Sequence, residues 1–157
     1  MPLHIRIARP QDELRWRELW AGYNRFYEAR VPQDVTAHTW HRILDPSVPL
    51  FCLMAELRTE AESQEGNAAP DIAGFCTYIL HEGTWVKTPV CYMEDLFVDP
   101  AHRGRGVGRA LIQDLVDRGQ TQNWSTLYWH TQTGNPARKL YDSFTLADDF
   151  VRYRLRF

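Results

Sequence analysis

The chain has 157 residues, 44% hydrophobic and 24% charged, which suits one folded domain over residues 1–157 and not a disordered or fibrous chain. A formal net charge of −2 argues against nucleic-acid binding and leaves room for a cationic ligand. No apolar stretch approaches the ~20 residues of a membrane span, and the opening residues lack the apolar run of a secretory signal. Three cysteines (Cys52, Cys76, Cys91) are odd in number and widely spaced. They read as buried thiols of a cytoplasmic protein rather than a disulfide frame or zinc site, and no metal is expected.

Residues 3–8 alternate apolar and polar side chains around Ile5 and Ile7, a short strand. Beyond Pro10, residues Trp16, Leu19, Trp20, Tyr23, Phe26 and Tyr27 recur at helical spacing. Val31-Pro32 breaks that helix, and a second one follows over residues 36–44, ending near Asp45-Pro46. Strands are predicted at 51–57 and 72–80, joined by a polar loop over 58–70 rich in Glu, Ser, Gly and Asn. A further strand at 92–98 stops at Asp99-Pro100. The stripe Val107, Ala110, Leu111 and Leu115 marks a helix over 106–118, and a strand follows at 124–130. Residues 135–144 form a helix with Ala137, Leu140, Tyr141 and Phe144 on one face. Last, Val151, Tyr153, Leu155 and Phe157 alternate with Arg152, Arg154 and Arg156 in a closing strand. The order β-α-α-β-β-β-α-β-α-β implies an α/β fold, a mixed sheet with helices on its faces.

The stretch from Asp95 to Arg109 is the most informative. It leaves a strand, turns through Gly104, Gly106 and Gly108, and enters a helix. Glycines let the backbone bend sharply and approach a ligand. Free amides at the helix start favour an anion, and Arg103, Arg105 and Arg109 add charge suited to a pyrophosphate. The spacing is neither a P-loop nor a dinucleotide fingerprint, because G-x-x-x-x-G-K-[ST] is missing and Arg109 stands where the third glycine would fall. What remains is R-x-x-G-x-G at Arg103, Gly106 and Gly108, set after Leu96-Phe97-Val98-Asp99-Pro100.

In that context the sequence resembles the GNAT acetyltransferases, in element order over nearly the whole chain and most sharply from Tyr92 to Tyr141. The run from Tyr92 to Val98 looks most like the polyamine and the fungal histone and D-amino-acid acetyltransferases. The resemblance implies a mostly antiparallel sheet splayed at the cofactor site and flanked by helices. It implies acetyl-CoA as co-substrate and a homodimer. It further implies that the pantetheine arm pairs with Leu96, Phe97 and Val98, while the turn from Arg103 through Gly104, Arg105, Gly106, Val107 and Gly108 to Arg109 holds the diphosphate.

Acetyl transfer to an amine requires a neutral amine, a stabilised carbonyl oxygen and a proton for the leaving thiolate. An alkyl ammonium near pKa ~10.4 needs a base at neutral pH. Tyr141, in Pro136-Ala137-Arg138-Lys139-Leu140-Tyr141, matches the family's acid, or else is a core tyrosine. Glu94 matches the base, or else is paired to an arginine. On a regular strand Glu94 and Asp95 point to opposite faces. Amides near Val98 would polarise the carbonyl. The family's asparagine falls at Gly134, with Asn135 one place late and also suited to cap a helix before Pro136. The usual Gly-Phe after the tyrosine is missing. Tyr27, Glu28 and Trp85 are candidates for the acceptor pocket, while Trp16, Trp20 and Tyr23 are mostly core. His38 and His41 read as surface residues. The expected activity is direct acetylation of a small amine such as an amino acid or polyamine. A protein lysine or N-terminus, or a non-catalytic acetyl-CoA-binding role, are the alternatives.

Overall fold

The computed structural model describes residues 2–58 and 71–157. The polar loop expected over 58–70 lies outside the described residues except for Arg58. Five strands, β1 (Leu3–Ile7), β2 (Leu50–Leu57), β3 (Asp71–His81), β4 (Val90–Val98) and β5 (Thr126–Trp129), form one sheet in sequence order. The first three junctions are antiparallel, and β4 with β5 is parallel. Helices α1 (Glu13–Phe26) and α2 (Gln33–Leu44) follow β1. The crossover helix α3 (Val107–Thr121) joins β4 to β5, and a short α4 (Arg138–Tyr141) comes last.

Each face of the sheet carries its own core. Val107, Leu111, Ile112 and Leu115 recur at helical spacing on α3 and pack on Leu53, Ala55, Cys76, Cys91 and Met93. On the opposite face, Trp16 and Leu19 of α1 with Trp40 and Ile43 of α2 cover Cys52, Met54, Phe75 and Phe97. Burying such side chains contributes roughly 1.5–3 kcal/mol each. All three cysteines are free and buried. The start of α1 is fixed by Arg6, buried on β1, which donates to Asp12 at 2.7 and 2.9 Å and to Glu56 of β2. His38 and His41 lie on the exposed side of α2.

Three expectations change. The closing strand does not join this sheet: residues 151–157 have no regular structure, and Val151, Tyr153, Leu155 and Phe157 stand in solvent. Alternation supplies a strand's two faces, but not a partner for its hydrogen bonds. The helix expected over 135–144 keeps one α turn, because the i−3 bonds Arg138 N–H to Asn135 O and Phe144 N–H to Tyr141 O tighten both ends. Finally, β4 is not regular. Thr77 pairs with Asp95 and Tyr78 with Met93, leaving Glu94 as an extra residue on β4.

Candidate active site

The Glu94 bulge divides β4. Val90–Met93 pair with Thr126–Trp129 of β5, and the pairing ends at Met93 with Trp129. Beyond it the two strands separate, so Leu96, Phe97 and Val98 pair with β3 on one side only. A cleft of about 500 Å3 opens along that free edge. Tyr23, Phe26 and Tyr27 of α1 form one wall, the turn into α3 forms the floor, and Asn135, Leu140 and Tyr141 form the other wall.

The floor follows from the glycines. Gly104 and Gly106 have φ of +74° and +79°, the left-handed region that costs other residues roughly 1–2 kcal/mol. Gly106 caps α3, and the first helical bond runs from Ala110 N–H to Gly106 O at 2.9 Å. The amides of Val107, Gly108 and Arg109 therefore precede any intrahelical acceptor and face an end of positive dipole. These donors fit a diphosphate. Arg103 lines the cleft and donates Nε–H to Val98 O at 3.1 Å. Arg109 also lines it, yet its guanidinium donates to Ser143 Oγ at 2.9 Å and lies over the Phe144 ring, bracing α4 against α3. Arg105 is exposed and is not part of the lining.

Tyr141 stands on the wall facing the free edge of β4, its ring 5.6 Å from that of Trp129. Burial pushes its hydroxyl up to about 12, so it carries its proton throughout the neutral range. Asn135 is buried, and both ends of its amide are occupied. Its Nδ2 donates to Tyr27 Oη at 3.2 Å and Thr131 Oγ1 at 2.9 Å, while its Oδ1 accepts from Ala137 N–H. Its Oδ1 closes a turn onto Ala137, the residue at the start of α4, and its Nδ2 steadies Tyr27 across the cleft. The sequence offered Asn135 as the cap of this helix, whereas the helix starts two residues later with Ala137 in that position.

Glu94 is exposed on the bulge and is not among the residues that line the cleft. Beside it lies Asp95, buried and accepting hydrogen bonds from Thr77 Oγ1 and Tyr23. Burial raises the Asp95 carboxyl to about 6, against the pull of those two donors. Both carboxylates act on Tyr23, whose hydroxyl is pushed far up by burial first and then by Asp95 and Glu94. Glu94 is exposed and Asp95 buried, and the bulge between their strand and β3 inserts one residue into the ladder at this point. Two proposed pocket residues are elsewhere. Trp85 is 97% exposed in the β3–β4 loop, and Glu28 is exposed with φ of 52° where α1 ends. Neither lines the cleft. Tyr27 does.

Sequence reasoning missed a second aromatic group. On the face of β4 and β5 opposite α3, the Tyr92 and Tyr128 rings stack 5.1 Å apart, with His130 Nδ1 3.4 Å from Tyr92 Oη. Tyr92 also shares a hydrogen bond with Glu94, and its hydroxyl is raised to about 12 by burial first and then by that carboxylate. The alternation of Tyr128 and His130 around Trp129 was the available signal. Their meeting with Tyr92 depends on strand register, which no local pattern encodes.

A mixed sheet opened along one strand edge, beside a glycine-capped helix start and a protonated tyrosine, defines a site for handling an acyl donor with a diphosphate. The chain belongs to the acetyltransferase (GNAT) family, whose model matches residues 15–145. It is 32% identical over 151 residues to the D-amino-acid N-acetyltransferase HPA3 of Saccharomyces cerevisiae, covering 96% of this chain and 88% of that one. The thialysine N-epsilon-acetyltransferase of Bos taurus is 32% identical over 102 residues, 62% of this chain and 55% of the relative. In fold, it is similar to the ribosomal-protein-alanine N-acetyltransferase of Brucella melitensis (TM-score 0.78, 24% identity, 100% of both chains covered). The protein is an N-acetyltransferase, and its family uses acetyl-CoA as co-substrate.

Proposed function

We propose that this enzyme transfers an acetyl group from acetyl-CoA directly to the primary amine of a small molecule, an amino acid or a polyamine-like amine. The observation that carries the reading is the cleft: free α3 amides at its floor and the proton-bearing Tyr141 on its wall, along the open edge of β4. Its relatives that acetylate D-amino acids and thialysine support a small amine.

Acetyl-CoA supplies a thioester-activated acetyl group. The amides of Val107, Gly108 and Arg109, with Arg103, hold its diphosphate, and Leu96 to Val98 offer backbone partners for the pantetheine arm. The Val98 amide steadies charge on the acetyl oxygen. Glu94, reached through water, accepts the proton that makes the amine nucleophilic. Tyr141 gives its proton to the departing sulfur, and its raised pKa keeps that proton available at neutral pH. No cysteine serves as nucleophile, since burial raises all three thiols, Cys91 to about 12 and Cys52 and Cys76 well above the ordinary thiol value. The protein works as a single domain and as a homodimer in the reducing cytoplasm, where such thiols stay free.

The test is free-thiol release from acetyl-CoA over L- and D-amino acids, polyamines, aminoglycosides and lysine peptides. A small amine should turn over fastest. Preference for the peptides would reassign the substrate, and tight coenzyme A binding without any turnover would make the chain a cofactor sensor.

A further inference from the structure

Beside the cleft lies a second hollow of about 480 Å3, set between α1 and the segment that leaves β4. Phe26, Phe97 and Arg103 line both cavities, so the two are neighbours across the Phe97 ring. No step of the proposed transfer uses this hollow. Its charged groups are three guanidiniums, Arg15, Arg25 and Arg103, and two carboxylates, Glu18 and Asp99.

Both carboxylates are engaged by one of the three arginines. Arg15 donates to Glu18 at 2.8 Å and to Asp99 at 2.6 Å, and the other Asp99 oxygen accepts from the Ala101 amide. Among the described residues, Arg25 and Arg103 have no carboxylate partner. Yet they converge. The Arg103 guanidinium lies over the Phe97 ring, 5.7 Å from its centroid, and its Nε–H bond to Val98 O holds it there. Arg25 reaches the same ring from α1: a Cβ at Gly22 would stand 2.8 Å from Phe97 Cζ and 3.7 Å from Arg25 Nη2. Glycine at this position is what lets the ring come so close to the helix. Two like charges gathered at one ring, with no anion between them, repel each other. An anionic ligand relieves that repulsion and takes up both sets of donors.

The co-substrate carries such an anion. Coenzyme A has a diphosphate and, on its ribose, a separate 3′-phosphate that holds close to two charges at neutral pH. The diphosphate takes the α3 amides. Near it, Arg109 is engaged by Ser143 and Phe144, and Arg105 is outside both linings. Among the described residues, Arg103 is the cation common to both cavities. A ribose that leaves the floor of the cleft past Arg103 therefore carries its 3′-phosphate toward Arg25.

We infer that Arg25, together with Arg103, binds the 3′-phosphate of coenzyme A in this second hollow, so that the enzyme distinguishes coenzyme A from its 3′-dephospho form. The inference rests on acetyl-CoA as co-substrate and on no choice of acceptor amine.

Calorimetry with coenzyme A and with 3′-dephospho-coenzyme A, at low ionic strength, tests it. The unaltered chain should bind coenzyme A about ten-fold or more tighter than the dephospho form. Arg25→Gln, at an exposed position, should weaken coenzyme A about five- to ten-fold and leave the dephospho form within about two-fold. Arg25→Lys keeps the charge without the planar fork and should retain part of the preference. Arg30→Gln is the control, since Arg30 is exposed beyond the end of α1 and lines neither cavity. An equal loss of preference in Arg30→Gln would mean a diffuse positive field and overturn the site. Equal affinities of the unaltered chain for the two ligands overturn it as well, as does an equal loss of both ligands in Arg25→Gln, and either result leaves the co-substrate in place. Binding of neither ligand overturns the co-substrate along with the site.

Discussion

The two halves of β4 share a strand and little else. Val90–Met93 are paired on both edges, with Cys91 and Met93 sealed beneath α3. Asp95–Val98 are paired on one edge only, and Leu96–Val98 border the cleft. The change happens at one inserted residue, Glu94, where the register slips and two carboxylates come to act on the same tyrosine. A sheet opens for a ligand by stopping a ladder, and the bulge is where this ladder stops. Catalysis and stability should therefore respond separately to substitutions on either side of it.

The largest expected separation comes from Tyr141→Phe. Removing the hydroxyl should lower kcat by about 10²–10³-fold, the usual range for a lost general acid. Calorimetric affinity for coenzyme A should stay within about two-fold, since the ring remains. A kcat loss under about five-fold would remove Tyr141 from the chemistry.

Met93→Ala probes the sealed half. Met93 is 3% exposed among Cys91, Leu111 and Leu115, so truncation should lower unfolding free energy by about 2–4 kcal/mol in urea titrations. The kcat of the protein that remains folded should hold within about two-fold. A large kcat loss without loss of stability would erase the distinction between the halves.

What the sequence made legible follows the same divide between local and distant causes. The α3 stripe and the glycine turn could be read because spacing, breakers and arginines lie within a dozen or so neighbouring residues. Tyr141 was legible from its helix and its place in the family pattern. The bulge was not, because Glu94 is extra only relative to a register set by β3. Nor was the Tyr92–Tyr128 stack, which needs the parallel register of two strands whose paired residues lie 36 positions apart in the chain. Trp85 misled for the opposite reason: an aromatic in a loop carries no periodicity to say which way it faces. The final alternating segment was read as a strand and forms none, because pairing is a property of two segments and alternation describes only one of them.

A middle-sized effect concerns Asp95, on the open side of the bulge. Its carboxyl is raised from 3.8 to about 6, chiefly by burial. The native state thus holds its proton more tightly than the unfolded chain, and Asp95 lowers stability as pH rises from about 4 to about 6. A shift of that size corresponds to about 2–3 kcal/mol. Asp95→Asn removes the titration, so the stability of the variant relative to the unaltered chain should rise by about 2 kcal/mol between pH 4 and pH 7. Urea unfolding at both pH values measures it. A difference that does not change with pH would mean that this carboxyl titrates like an ordinary one.

Gly106→Ala gives the smallest and most local effect. A Cβ at Gly106 would meet nothing within 4 Å, so crowding cannot be the cause of any loss. What alanine cannot easily do is hold φ at +79°, at a penalty of roughly 1–2 kcal/mol. If the turn relaxes to relieve that strain, the amides of Val107, Gly108 and Arg109 lose their common aim. The KM for acetyl-CoA should then rise about five- to ten-fold with kcat nearly unchanged, the signature of lost ground-state binding. Gly104→Ala is the matched control, since Gly104 shares the left-handed backbone and the open surroundings but does not cap α3. The same stability loss with a smaller change in KM would assign the donor site to the helix cap itself. Equal KM changes in both variants would assign it to the turn as a whole.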